Sequence, residues 1–480
     1  MGGGGREHTI LWKLAQSPLA PRLYCAPGNG GIGELAECVP LKAMDKEGIV
    51  RFAKEQHMDF VVVAPDDPLS IGMVDALEAE GIRAFGPCRA AAQLEASKIF
   101  SKNLMRKYGI PTADYETFDH SAAAIAYLRR KEQTFPAVIK ADGLALGKGV
   151  IIAADLPEAE SAVISMMDEQ RFGASGAQIV IEEYMTGPEV TVLAFTDGST
   201  ILPMESSQDH KRAFDHDEGP NTGGMGAFSP SPHYTPEVAA ACMKTIFQPT
   251  LNALRQEGIL YKGVIYFGLM LTPKGPRVVE YNARFGDPET QCILPRLKTD
   301  LLDIFNAVVD ENLAEITLEW RREAACCVVL ASGGYPTKYQ TGYAISGIRE
   351  AEKAGALVFH AGTKRATAET HNGAGVPEYI TSGGRVLGIT GMGKTLPEAS
   401  AAAYCRSAYF VDGYAYADRH RTEINGRNAE WFLYKPMNQI AARNRISYAP
   451  QFFYCLRFCF FCRRTQKHTT GTGIPGNIKS

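Results

Sequence analysis

The sequence predicts an α/β protein, with a doubly wound parallel sheet at the N-terminus followed by mixed α+β units. Three observations predict it. Short apolar strands such as "FVVVAP" (60–65) alternate with helical spacing through residues 1–97, the pattern of a parallel sheet with crossover helices. Two pairs of apolar runs then read as hairpins: "EVTVLAFTDG" with "STILPME", and "GVIYFGLMLT" with "PRVVEYNARF" across "PKG". A third set, "CCVVLASGGYP", "ALVFHAGT" and "GGRVLGITGMG", runs from Cys326 to about Gly413, with glycine turns and one helix after Pro397.

Composition bounds the function classes. The 480 residues are 45% hydrophobic and 21% charged, which suits a globular chain of about two to four domains. A net charge of −3 favours neither nucleic acid nor a membrane surface as partner. No run approaches the ~20 apolar residues of a membrane helix, and the start lacks the apolar core of a signal peptide. The eleven cysteines follow no secreted-scaffold spacing, so reduced thiols in a cytoplasmic enzyme are expected. Residues 428–480 stand apart, with eight Lys or Arg against one acid, Glu430. Cys455, Cys459 and Cys462 lie there, three thiols where a structural zinc site takes four ligands. This basic tail is expected to be poorly ordered.

The elements follow in order. The chain opens "MGGGGREHTI", then shows helical spacing from Thr9 to Gln16. A glycine turn at the mouth of a helix is a phosphate-binding device, but it normally follows an internal strand, and only Met1 precedes it here. A first strand is therefore expected to be missing, leaving neighbouring backbone groups unpaired at about 1–3 kcal/mol each. "LYCAPGN" reads as strand and turn, Leu69 to about Glu80 as a helix, and "IRAFGP" as a strand. "SKIFSKNLMRKYGIPT" is a helix from residue 98 that ends at Gly109 and Pro111. Helices at 121–131 and 156–169 and the strands "FPAVIK", "GVIIAA" and "AQIVIEEY" make a small α+β unit.

Four stretches carry candidate chemistry. In "VIKADGLALGKGVII" (138–152), Lys140 ends a strand before a loop rich in glycine. Its backbone N–H groups could close over phosphates, with Lys140 and Lys148 supplying charge. A plain hairpin loop is the competing reading. In "IVIEEYMTGPEVTV" (179–192), residues Glu182 to Met185 could offer backbone edges to an adenine and Glu189 could accept from ribose hydroxyls; a solvated strand edge explains the acids as well. In "VVEYNARFGDPETQ" (278–291), Glu280, Asn282 and Arg284 share one strand face by period two. Two oxygen ligands beside a guanidinium suit Mg2+ bridging nucleotide phosphates. "SSQDHKRAFDHDEGPNTGGMGAFSPSP" (206–232) reads as a long polar loop, of the kind that is often functional. His210 there is a candidate base by its near-neutral pKa, against the commoner structural role.

Together "GGREH", "APGN", "QLEASKIFSKNLM", "VIKADGLALGKGV", "IVIEEYMTGPEVTV", "SSQDHKR", "GPNTGGMGAFSP", "NARFGDPETQ", "SGGYP", "HAGTK" and "GGRVLGIT" resemble the phosphoribosylamine–glycine ligase family of ATP-grasp enzymes. The resemblance runs from Gly3 to about Gly413 and implies an ATP-grasp fold. Its domains would be an N-terminal pre-ATP-grasp domain (1–97), an ATP-grasp domain (98–325) with a lid at about 113–186, a small α+β domain (326–425) and a divergent tail (426–480). It implies ATP-dependent ligation of glycine to 5-phosphoribosylamine through glycyl phosphate, with Mg2+ or Mn2+, in a cytoplasmic monomer. An ATP-binding remnant or another carboxylate–amine ligase of the superfamily are the alternatives.

Carried over, Lys98 and Lys140 would contact the phosphates, with Gly143, Gly147, Lys148 and Gly149 in the lid loop. Glu182, Glu183, Tyr184 and Met185 would line the adenine, and Glu189 would hold ribose. Glu280 and Asn282 would bind the metal. Arg284, with Lys140, would serve the chemistry. Asp209, His210, Lys211, Asp287 and Glu289 would border the substrates, with Gly4, Gly5, Arg6, Glu7 and Asp66 on the phosphoribosylamine side. The sequence departs from the family at Gly3, where Asn is expected, and in "APDDPL", where Asp66 replaces a longer acid; from about Tyr414 the family's closing segment is not recognisable.

Overall fold

The computed structural model describes residues 1–130, 134–144, 149–214, 218–367 and 378–407. Gly147, Lys148, the 426–480 tail and its three cysteines lie outside them.

At the N-terminus, strand Tyr24–Cys25 pairs parallel with Glu37–Cys38, and Val61–Val62 pairs parallel with Ala84–Phe85. The expected gap between them is bridged in part. Gly2 bridges Pro27, its N–H donating to Ala26 O (2.7 Å) while its own carbonyl accepts from Gly28 N (3.2 Å). On the other side the Met1 amino group donates to Val62 O at 2.9 Å. Two residues thus supply three of the bonds an internal strand would make, while the two strand pairs stay separate two-stranded sheets. The first helix starts at Gly5, not Thr9, and runs to Leu14. The expected helix from Leu69 is two, Asp66–Ser70 and Met73–Ala79, broken where Gly72 takes φ +80°. Leu69, Met73, Leu77, Val63 and Ala84 form the core of this region.

The central sheet is antiparallel, in the order Ile201–Pro203, Glu189–Thr196, Gly263–Thr272, Gly275–Asn282. Both expected hairpins are present. Period two divides its side chains between two cores. Val190, Val192, Ala194, Ile265 and Phe267 pack on Phe247, Leu251 and Leu254 of the helical layer. Leu193, Phe195, Val264 and Tyr266 pack on Ile304, Phe305 and Val308 of helix Leu301–Val309 and on Ile10 and Leu14. Burial on both faces explains why these strands read as continuous apolar runs.

A second antiparallel sheet takes the order Tyr115–Phe118, Ile179–Glu183, Ala137–Ala141, Val150–Ala153. Helices Ser121–Leu128 and Leu156–Val163 cover its Ala137, Ile139, Ala141, Ile179 and Ile181 face. By alternation Lys140 and Glu182 belong to the opposite face.

A third sheet corrects the reading of 206–232 as a loop. Gln208–Asp209 and Gly226–Ser229 are strands, and the latter pairs antiparallel with Ala324–Ala331. The order continues through Arg385–Gly393 to Leu357–His360. Gly391 and Gly393 let helix Leu396–Ser407 press against the sheet, since a Cβ on either would collide with that helix's backbone. Helices Arg89–Ala96 and Ile348–Lys353 were not expected. Among the described residues no helix is long and apolar enough to cross a membrane.

Candidate active site

The site lies where the second sheet faces the central hairpin. Ser97 caps helix Lys98–Tyr108 by accepting from Phe100 N (3.0 Å). Asp142, at the root of the glycine loop, accepts from Ile99 N (2.7 Å) and Ser97 Oγ (3.0 Å), a carboxylate where the helix dipole favours one. Lys98 Nζ donates to Gly143 O at 3.1 Å. A Cβ at Gly143 would stand 2.5 Å from Ser175 Oγ and 3.1 Å from its Cα, a close approach that favours glycine where the loop leaves the strand.

Lys140 is 4% exposed. Its Nζ lies 3.0 Å from Glu182 Oε2 and donates to Val279 O at 3.1 Å. Val279 is the unmatched residue of a bulge, because Gly268 pairs with Glu280 and Leu269 with Val278. Lys102, one turn beyond Lys98, reaches the same Glu182 oxygen at 3.1 Å and donates to Thr112 Oγ1 at 2.8 Å. Burial pushes the Lys102 ammonium down to about 8, against the pull of Glu182. Glu182 Oε1 is buried with no hydrogen-bond partner among the described residues. The Glu182 side chain therefore joins two lysines. Its neighbour Glu183 is bound to Arg277 and accepts from Asp114 N. Tyr184 is exposed and Met185 half-buried beyond the strand end.

Glu280 and Asn282 do share a face, with Tyr281 turned into the core between them. Arg284 lies past the strand end, but its Nη2 returns to Asn282 Oδ1 (3.4 Å) and pairs with Glu95 Oε1 (2.9 Å). Glu95 also accepts from Ala283 N at 2.7 Å. Lys211 stands between two carboxylates, 3.7 Å from Glu280 Oε1 and 3.6 Å from exposed Glu189. Asp209 supplies the strongest pull that holds the Lys211 charge. Burial raises the Asp209 carboxyl to about 7, with Lys211 opposing and Glu289, Glu189 and Glu280 repelling. For Glu280, Lys211, Lys140, Lys98 and Arg284 outweigh burial and keep it below the usual carboxylate range. Glu289 is buried and accepts from Tyr266 OH at 2.9 Å. His210 packs its ring 5.7 Å from that of Phe228, and its backbone N–H donates to Gly226 O.

The oxygen donors Glu280 and Asn282 fit a hard divalent ion. No described residue donates a hydrogen bond to the Glu280 carboxylate, which leaves its lone pairs available. Among the described residues no group of three or more His, Cys, Asp or Glu is placed to hold a metal, so phosphate oxygens and water would complete the sphere.

The turn at residues 4–7 meets the turn at 285–291. Gly4 N donates to Glu7 Oε2 (2.6 Å), Arg6 Nε to Glu7 Oε1 (2.6 Å), Arg6 Nη1 to Phe285 O (3.1 Å) and Arg6 N to Asp287 Oδ2 (3.4 Å). Carboxylates thus accept from two amides at the mouth of helix Gly5–Leu14, those of Gly4 and Arg6. A Cβ on Gly5 would stand 2.5 Å from Gln291 Nε2. Asn29 ties this turn to the third sheet, its Nδ2 donating to Gly3 O (3.0 Å) and His360 O (2.8 Å). Half-buried Asp66 opens helix Asp66–Ser70 and acts electrostatically on Arg284 and Glu95. Glu95, Lys102, Asn29, Tyr335 and Arg385 were not singled out from sequence. Only Lys102 carried a local signal, its spacing of four from Lys98.

Solved structures share this architecture. The biotin carboxylase domain of Hydrogenobacter thermophilus 2-oxoglutarate carboxylase, solved with MgADP and bicarbonate, matches with TM-score 0.62 at 14% identity, over 85% of this chain and 88% of that one. N5-carboxyaminoimidazole ribonucleotide synthetase from Thermus thermophilus matches with TM-score 0.58 at 17% identity, over 86% and 98%. The fold is that of the ATP-grasp enzymes.

Family profiles narrow the class. Those of phosphoribosylglycinamide synthetase match as the N domain at residues 1–95, the ATP-grasp (A) domain at 96–290 and the C domain at 325–424. The chain belongs to this family. A phosphoribosylamine–glycine ligase of Halalkalibacterium halodurans is 48% identical over 404 residues, 84% of this chain and 91% of that protein. The crystal structure of the Thermotoga maritima ligase matches with TM-score 0.73 at 32% identity, over 85% and 95%.

Proposed function

We propose that this chain joins glycine to 5-phosphoribosylamine, driven by ATP, to give glycinamide ribonucleotide, ADP and phosphate in purine biosynthesis. One observation carries the reading. Lys140, at 3.0 Å from Glu182, reaches the bulge carbonyl beside Glu280, so cations from the second sheet face a metal-competent carboxylate on the central hairpin. That arrangement suits a triphosphate lying between the two sheets.

A carboxylate is a poor acyl donor until one of its oxygens becomes a phosphate leaving group. In the first half, a glycine oxygen attacks the γ-phosphorus, ADP leaves, and glycyl phosphate forms. Lys98, Lys140 and Arg284 offset the repulsion between the two anions. A Mg2+ held by Glu280 and Asn282 would add charge neutralisation at the phosphates, and Mn2+ has the same oxygen preference. The glycine loop rooted at Asp142 excludes water from the acyl phosphate. In the second half, the amine nitrogen attacks the glycyl carbon and phosphate leaves. Lys211, Asp209 and Glu289 lie on the glycine side of this reading, and the 4–7 and 285–287 turns on the amine side. Glu182 to Met185 and Glu189 border the nucleoside. The eight free cysteines among the described residues accord with a cytoplasmic enzyme, which we read as a monomer.

ADP release with each substrate omitted in turn tests the reading. Release that requires both glycine and phosphoribosylamine is expected. Release indifferent to glycine, or equal with other amino acids, would overturn it.

A further inference from the structure

The strand Arg385–Gly393 begins with a guanidinium that reaches beyond its own sheet. Arg385 Nη1 donates to Gly223 O (2.7 Å), Asp287 O (2.8 Å) and Gly224 O (3.3 Å), and lies 3.4 Å from Asp287 Oδ1. Gly223 lies flat against the fork, where a Cβ would stand 3.1 Å from Arg385 Cζ. Its N–H donates to Tyr335 OH at 3.1 Å. Gly224 takes φ +109°, and a Cβ there would collide with Pro288. One arginine therefore staples two turns, 223–224 and 287–288, to the third sheet.

The remaining partners of Asp287 define its surroundings. Gln291 Nε2 donates to Oδ1 (2.8 Å) and Arg6 N to Oδ2 (3.4 Å). None of these groups surrounds Glu280, where the phosphates belong. The Asp287 side chain keeps 17% of its surface exposed. Its neighbour at the helix mouth is another carboxylate, Glu7, already engaged by Gly4 N. This corner thus offers acceptors, and it fits a ligand that brings N–H or O–H donors. The amine and hydroxyl groups of an aminosugar phosphate answer that description. The γ-phosphate does not.

We propose that Arg385 is a positioning residue for the amine substrate: it fixes the Asp287 carboxylate at the mouth of helix Gly5–Leu14, where that carboxylate accepts a hydrogen bond from phosphoribosylamine. The inference rests on the ligase reading above. Asp287 takes no covalent part. The C–N bond forms from the nitrogen lone pair, the C–O bond to phosphate breaks with its electron pair on phosphate, and the departing phosphate takes up the proton that the nitrogen releases. Asp287 holds the nucleophile at the angle that step needs.

Steady-state kinetics of R385K and R385Q, with glycine hydroxamate formation when hydroxylamine replaces the amine substrate, tests it. Loss of a charge-assisted contact should raise the KM for phosphoribosylamine by about tenfold or more in R385Q, and less in R385K, which keeps charge but not the fork. The KM values for ATP and glycine should stay within about twofold, a change too small to register a lost contact. D287N, which preserves side-chain shape, should show the same selective rise and carries the test if R385Q fails to fold. A rise shared with glycine or ATP, or an unchanged KM for phosphoribosylamine, overturns the proposal. Wild-type protein that makes no glycine hydroxamate overturns the ligase reading and this inference with it. Hydroxamate formation with unselective variants overturns this inference alone.

Discussion

The two halves of the site are assembled on different principles. The charged centre comes from one helix and neighbouring strands, where Lys98, Lys102, Lys140, Glu182, Glu280 and Lys211 set opposite charges against each other, its ion pairs spanning 3.0 to 3.7 Å. The side proposed for the amine is stitched from distant segments. Arg6 meets Asp287, Asn29 meets His360, and Arg385 meets Gly223, each by hydrogen bonds across more than 150 positions of chain. A charge centre fails when a charge is removed. A stitched corner fails when any stitch is cut, including stitches that never touch substrate.

The largest effects should fall on the charged centre. Lys140→Met and Glu280→Gln should each lower kcat by about 100-fold or more, with equal losses in ligation and in glycine hydroxamate formation. Ligation lost with hydroxamate formation intact would dissolve the distinction between the halves.

Glu95 sharpens the comparison because it supports the centre from outside. Glu95→Ala leaves Arg284 without its counter-charge, at 19% side-chain exposure, which should cost about 3–5 kcal/mol and lower the melting temperature. Glu95→Gln, which still accepts from Ala283 N, should recover part of that loss.

The stitched side should show its own pH dependence. His8 Nδ1 accepts from His360 N at 2.7 Å. Burial lowers His8 to about 3 and His360 to about 4, against 6.5 for a free side chain. The unfolded chain then binds more protons between these values. The contribution is complete above 6.5 and fades as pH falls toward 4 and 3. His8→Asn, whose Oδ1 can replace the ring acceptor, should flatten the fall in melting temperature across that window.

The smallest effect belongs to Lys102→Met, because Glu182 keeps Lys140 at 3.0 Å. A few-fold rise in KM for ATP is expected. It should shrink above about pH 8, where Lys102 itself loses its proton.

Part of the charged centre was legible in the sequence because its signals are local, whereas the place of Lys98 came only with the family resemblance and Glu182, expected as an adenine edge, instead pairs Lys102 and Lys140. Ser97 and Gly109 bracket the Lys98 helix, and Glu280 and Asn282 alternate on one strand. The strand ending in "VIKA" and both central hairpins carried their own periodicity. Residues 206–232 were opaque because their strands are only two to four residues long, and Gly226–Ser229 finds its partner about a hundred positions later, at Ala324–Ala331. Helix Arg89–Ala96 was overlooked, and with it the role of Glu95. Arg385 sat in plain view at the start of an apolar strand, but nothing in its neighbourhood names Gly223 or Asp287 as partners.

Glycine labelled with 18O in its carboxylate tests the central claim most directly. It is turned over with ATP and phosphoribosylamine, and the released phosphate is examined by mass spectrometry. Activation through glycyl phosphate predicts one labelled oxygen in each phosphate, since the final cleavage falls between carbon and the bridging oxygen. Unlabelled phosphate would contradict it.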